Sequence, residues 1–161
     1  MNVLTLLKNQ HQEVAELYAA FEASDDDAEK LELFNQIADD LAVHSTIEER
    51  HFYPAIRARD TQKELTEAYD EHLEVKKLLV DCMRSTSTPG FDGKVAALMG
   101  AVEHHVDEEE DEMFPKVKKL LNRDQLEAIG QAMEAEGEQL KGLGAPRRMV
   151  KVAIEPPAAM L

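Results

Sequence analysis

His44-Ser45-Thr46-Ile47-Glu48-Glu49-Arg50-His51-Phe52-Tyr53-Pro54 and His105-Val106-Asp107-Glu108-Glu109-Glu110-Asp111-Glu112-Met113-Phe114-Pro115 are two versions of one segment. The His, both Glu, two apolar or aromatic residues and the Pro stay in register. The offset is 61 residues (105 − 44, 109 − 48), and it also relates His11 to His72 (72 − 11). Leu4 and Leu65, Val14 and Val75, Leu17 and Leu78, and Leu41 and Val102 keep the same spacing. A period shared by core-type residues and by His and Glu marks a duplicated structural unit, and it reports architecture and chemistry together.

Outward from that segment the periodicity is helical. Val3 to about Ser24 carries Leu4, Leu7, His11, Val14, Leu17, Tyr18 and Phe21 along one face, with Asn2 as N-cap. After Asp25-Asp26-Asp27, a second helix to about Arg59 turns Leu33, Ile37, Leu41, His44, Glu48 and Phe52 inward, and Pro54 should kink it. Thr61-Gln62-Lys63-Glu64 has the form of a capping box opening a third helix to about Arg84, with Leu65, Ala68, His72, Val75 and Leu79 inward. The loop Ser85 to Gly90 precedes a fourth, from Asp92 to about Leu121, kinked at Pro115. Asn122-Arg123-Asp124-Gln125 caps a shorter fifth helix, which Gly142 and Gly144 stop. The remainder lacks periodicity and is expected to lie over the bundle or to move, its three basic residues docking on the acidic body. The predicted fold is all-α: an up-down four-helix bundle of two homologous hairpins over residues 1–121, with a fifth helix and C-terminal tail packed on it over 122–161.

Composition agrees. The 161 residues are 43% hydrophobic and 32% charged, with 5% aromatic and no Trp, which suits helices with solvated outer faces better than a β-sandwich. No apolar run approaches the ~20 residues of a membrane span, and the first residues do not read as a leader, so a cytoplasmic protein is expected. A net charge of −15 opposes nucleic-acid phosphate and anionic lipid alike. Cys82, alone, reads as buried filler.

A lone inward His is usually a hydrogen-bonded core residue. Here His11, His44, Glu48, His72, His105 and Glu109 occupy polar positions within apolar stripes on four helices. Burying so many ionisable groups unpaired would cost several kcal/mol apiece. Imidazole with carboxylate suits iron, manganese or zinc, and six ligands exceed the four of a structural zinc. Two metals are implied, each with two His and with both Glu bridging, leaving room for an oxo or hydroxo bridge and an open position. Removal of the metal should lower the melting temperature and leave an acid-sensitive protein, whose buried His must stay neutral or charge inside the bundle.

The set His11, His44-x-x-x-Glu48, His72, His105-x-x-x-Glu109, with the trailing Glu-Glu-x-x-aromatic-aromatic-Pro pattern, resembles the hemerythrin-like (HHE cation-binding) family over about residues 2 to 121. The resemblance implies a four-helix bundle around two iron ions held by His and bridging carboxylates. The fifth helix and tail resemble additions in some bacterial members. One departure bears on function: the oxygen carriers of the family have a fifth His in a His-x-x-x-His pair, where this chain has Lys76. His51 and Tyr53 are candidates for the vacant coordination. Tyr53 lies about 180° from His44 on a regular helix and reaches the site only if the Pro54 kink redirects it. His104 points about 100° away from His105 and is left out.

The leading functional expectation is a non-haem di-iron protein that binds or reacts with O2, peroxide or NO, with catalase-like peroxide removal as its enzymatic form. Iron storage, or donation of iron to damaged iron–sulfur centres, is the alternative. A ferritin-like iron oxidase is more distant, since its two Glu-x-x-His pairs are represented once, by Glu48-x-x-His51. A metal-free interaction bundle would leave the repeated ligands unexplained. The partners expected are small molecules and an unspecified electron donor, in a monomer or weak homo-oligomer.

Overall fold

A computed structural model describes residues 1–154, and among them every regular element is helical. Helix α1 (Val3–Ala23) is capped by Asn2, whose Oδ1 accepts the Leu4 N–H at 2.7 Å. Helix α2 (Asp27–Ile47), capped by Asp26, returns antiparallel to it. Helices α4 (Gln62–Met83) and α5 (Phe91–Glu108) form the second hairpin. Helix α7 (Arg123–Gly142) begins in the expected reciprocal box: Asn122 Oδ1 accepts the Gln125 N–H, and Gln125 Oε1 accepts the Asn122 N–H, both at 2.9 Å.

The second and fourth long helices are not simply kinked. After α2 the chain widens into a π-helical turn, Glu48–Phe52, and resumes as the short helix α3 (Tyr53–Ala55). After α5 the same occurs at Glu109–Met113, followed by α6 (Phe114–Leu120). Pro54 and Pro115 lack an N–H, and their rings would clash with the carbonyls four residues back. The wider turn relieves this by sending the Tyr53 N–H to the Glu48 carbonyl five residues back, and the Phe114 N–H to that of Glu109. An extra residue in one turn sets everything after it back by about 100°. Each of the two repeated Glu thus opens a π-turn, and the aromatic that closes the turn swings inward.

Two other expectations change. The second helix stops at Ala55 rather than near Arg59. Thr61 does not cap α4 with its side chain. Its hydroxyl donates to the Ile56 carbonyl (2.6 Å) and accepts the Ala58 N–H, closing the turn between the elements, while Glu64 pairs with Lys116.

The core has two apolar ends. One gathers Leu7, Ile47, Phe52, Ile56, Phe114 and Val117 under Leu126, Met133 and Leu140 of α7. The other gathers Phe21, Phe34, Ile37, Leu79, Val95 and Leu98. A side chain of this size contributes about 1.5–3 kcal/mol when fully buried. The described part of the tail lies over the bundle, and includes a helix that its sequence did not announce: α8 (Arg148–Ile154) packs against α4, Val150 is buried in the second cluster, and Arg147 pairs with Asp39 at 2.9 Å. Glu155 and the prolines after it lie outside the described residues. No described helix is long and apolar enough to cross a membrane.

Candidate metal centre

Between the two apolar ends lies a buried polar cluster made by both hairpins. His44, Glu48, His72, His105 and Glu109 are buried, and the side chain of His11 is 6% exposed. His11 comes from α1, His44 from α2, His72 from α4 and His105 from α5, while Glu48 and Glu109 open the two π-turns. All six repeated residues therefore converge.

The convergence is arranged as two halves sharing carboxylates. Glu109 turns Oε1 to His11 Nε2 and Oε2 to His105 Nε2, each at 3.3 Å. Glu48 presents Oε1 to His44 Nε2 at 2.9 Å and to His72 Nε2 at 3.2 Å. Donor atoms of His11, His44, Glu48 and Glu109 lie within 4.8 Å of one another, as do those of Glu48, His72 and His105. His11 Nε2, His44 Nε2, Glu48 Oε2 and Glu109 Oε1 are buried without hydrogen-bond partners. Buried nitrogen and carboxylate atoms gathered within this distance of one another fit the binding of metal cations.

Each imidazole is fixed from behind. His11 Nδ1–H donates to Glu110 (2.9 Å), His44 to Gln10 (2.6 Å), His72 to Glu49 (3.2 Å) and His105 to Glu71 (3.0 Å). An oxygen acceptor on Nδ1 sets the tautomer and leaves Nε2 free for a metal. These holders obey the same repeat: Gln10 and Glu71 precede His11 and His72, and Glu49 and Glu110 follow Glu48 and Glu109. Sequence reasoning recorded the second pair only as part of the match and overlooked the first, although the offset of 61 (71 − 10, 110 − 49) pointed to both. Lys76, at the position of the missing fifth His, holds Glu49 at 2.8 Å, so it steadies the holder of His72.

The two supplementary candidates part company. The π-turn brings the Tyr53 hydroxyl into the cluster, donating to Glu109 Oε2 at 2.8 Å and lying 3.0 Å from His72 Nε2, 3.3 Å from Glu48 Oε1 and 3.4 Å from His105 Nε2. Its counterpart Phe114 stacks against His11 at 6.4 Å, so the halves differ chemically. His51 is not brought to the cluster. It faces outward, and with Arg50 it hydrogen-bonds Glu136 of α7, clamping the outer side of the π-turn.

Burial alone would push the His105 imidazolium down, but hydrogen bonds to Glu109 and Glu71 outweigh it and raise it to about 11. Burial also opposes the charged forms of His11 and His72, yet Glu109 for the one, and Glu48 with Glu49 for the other, raise both. Burial opposes the Glu109 carboxylate as well, but His105 and His11 hold it well below the usual range. Burial, then the charges of Glu109 and Glu48, lift the Tyr53 phenol well above its ordinary value. For His11, His72 and His105 the paired carboxylates thus favour the charged imidazolium against burial.

On the side away from the carboxylates, the four His rings border a cavity of about 30 Å³ otherwise lined by Val14, Leu41, Val75, Val102 and Val106, with Gln10 and Ser45. That exceeds the ~10–15 Å³ one water needs, and suits a diatomic molecule.

The hemerythrin HHE cation-binding domain model matches residues 2–117. The chain belongs to the hemerythrin HHE cation-binding family. Its fold agrees with the crystal structure of an HHE domain-containing protein, an Rv2633c homolog from Mycobacterium kansasii, at a TM-score of 0.79 and 27% identity over 92% of this chain and 98% of that one. Rv2633c of Mycobacterium tuberculosis is 31% identical over 145 residues, 88% of this chain and 89% of its own length. A DNA nickase from Nostoc is 33% identical over 128 residues, 79% of this chain but 36% of the nickase. The hemerythrin-like helical bundle and its cation-binding character are thus those of the family, reached here from the residues upward.

Proposed function

We propose that this chain holds two iron ions and binds or reacts with O2, peroxide or NO, with catalase-like removal of peroxide as its enzymatic form. The reading is carried by one observation: two His pairs share two buried carboxylates beside an apolar cavity of about 30 Å³. His11 and His44 would hold one ion, His72 and His105 the other, with Glu48 and Glu109 common to both and Tyr53 an added ligand on the His72 side. Iron in such a pair supplies reversible redox change next to an exchangeable position. The chain's own residues fix the four imidazoles through Nδ1, exclude bulk water with a valine-rich wall, and place a phenol proton at Glu109. That anchoring of every His speaks for retained metal rather than donation of iron to other proteins. DNA nicking is not part of the reading, since a charge of −15 opposes phosphate contacts and the match covers 36% of the nickase.

The test is elemental analysis of anaerobically loaded protein, followed by optical and electron paramagnetic spectra of the reduced form mixed separately with O2, peroxide and NO. Two irons per chain and a spectral change with at least one reagent are expected. One tightly held ion, or no response to any of the three, overturns it.

A further inference from the structure

The cavity beside the His rings adjoins a second, larger space. A groove of about 440 Å³ runs between α1 and α5, lined by Val14, Ala15, Tyr18, Ala96, Met99, Gly100 and Glu103, and it shares His11, Val14, Val102 and Val106 with the inner cavity. Val14, Val102 and Val106, with the His11 ring, therefore line both the groove and the space over the imidazoles. Helices α1 and α5 belong to different hairpins and approach each other less closely than the partners within either hairpin. Ala15, Ala96 and Gly100 keep the space open: all three are exposed, and a Cβ added at Gly100 would meet no atom within 4 Å. Gly within a helix costs about 1 kcal/mol relative to Ala, so open width is gained there at the expense of local stability.

We propose that the α1/α5 groove is the port through which a neutral small molecule reaches the metal pair, and that Gly100 sets its width while Val14, Val102 and Val106 form its inner gate. The proposal rests on the small-molecule reading above. Its wall is mostly apolar, and Glu103 at the rim, on a chain of net charge −15, disfavours anions, so the groove selects O2, NO or hydrogen peroxide over superoxide or nitrite.

The experiment compares wild type with Gly100→Leu, and with Gly93→Leu as a control at an exposed α5 position outside the groove. Stopped-flow mixing of the reduced, iron-loaded protein with NO and with O2 should show Gly100→Leu reacting at least about tenfold more slowly, at unchanged iron content and melting temperature no lower than wild type. The second readout needs no reaction: saturation-transfer xenon NMR on zinc-loaded protein should show slower xenon exchange in Gly100→Leu and wild-type exchange in Gly93→Leu, since apolar cavities take up xenon. Equal rates and equal xenon exchange in wild type and Gly100→Leu overturn the port. A wild type inert to all reagents overturns the functional reading instead, while the xenon comparison still decides the port.

Discussion

The Tyr53 hydroxyl lies 2.8 Å from Glu109 Oε2, so the residue that closes the first hairpin's π-turn engages the carboxylate that opens the second hairpin's. Without metal, burial and the neighbouring carboxylates keep the phenol proton in place. With iron held as proposed, a ferric ion on the His72 side would reverse that balance, because a bound cation favours the deprotonated ligand. Tyr53→Phe should therefore abolish a visible phenolate-to-iron band in the oxidised protein while two irons remain bound. An unchanged spectrum would make Tyr53 a packing residue. The same substitution removes one of the two partners of Glu109 Oε2 and leaves His105, so it should cost the metal-free protein about 0.5–1.5 kcal/mol.

The holders of the imidazoles make the halves unequal, since His44 leans on neutral Gln10 and His105 on Glu71, whose carboxyl is kept below the usual range, against burial, by His105 and Glu108. Loss of such a partner typically weakens metal binding about 10–100-fold. Glu71→Gln should do so for one ion of the pair and leave the other nearer to wild type, as read by chelator competition. Glu13→Gln, on the solvated side of α1, serves as control. Equal affinity in Glu71→Gln and wild type would show that the contact does not tune the site.

The duplicated spacing made all six inner residues and the four-helix order legible, because each apolar stripe carried its His or Glu at a fixed offset. What escaped was local geometry. A π-turn has no periodic signature over five residues, so Tyr53 reads as outward-facing and His51 as near the face of His44; the inserted residue inverts both. Pro54 and Pro115 were the available signal, and they announced a disturbance without its form. Helix α8 was missed because seven residues make barely two turns, too few for a stripe to stand out. Gln10 escaped because an amide beside a ligand looks like any solvated residue until the repeat is applied to it.

Gly130 of α7 tests how the added helix is seated. A Cβ there would lie 1.9 Å from the Met1 carbonyl oxygen and 3.0 Å from the Val3 nitrogen, both backbone atoms with no rotamer to give. Helix propensity alone favours Gly130→Ala by about 1 kcal/mol. Overpacking against fixed backbone costs about 1–3 kcal/mol or more and should win. The variant should melt lower, with the start of α1 losing amide-exchange protection. A variant that melts higher than wild type would show that α7 sits further from the chain start than described.

The metal-free protein should be most stable in mild acid. His105, raised to about 11, and His11 and His72, also raised, each contribute stability that is complete below the unfolded value of about 6.5 and is lost as pH climbs through the folded value. Glu109, held low, contributes stability that is present above about 4.5 and is lost as pH falls through its folded value. The two windows overlap between about 4.5 and 6.5, so the melting temperature of the metal-free form should be higher at pH 5.5 than at pH 9, and should fall again in strong acid. Iron loading inverts the alkaline limb, because the cations replace the protons on the imidazoles and binding releases them. Holo protein should thus gain over metal-free protein most at pH 8 to 9, and protons should be released on loading in weakly buffered solution. A metal-free melting temperature that rises steadily from pH 5.5 to 9 would mean that the His are neutral in the fold, and that the ion pairs with Glu48 and Glu109 do not hold the empty centre together.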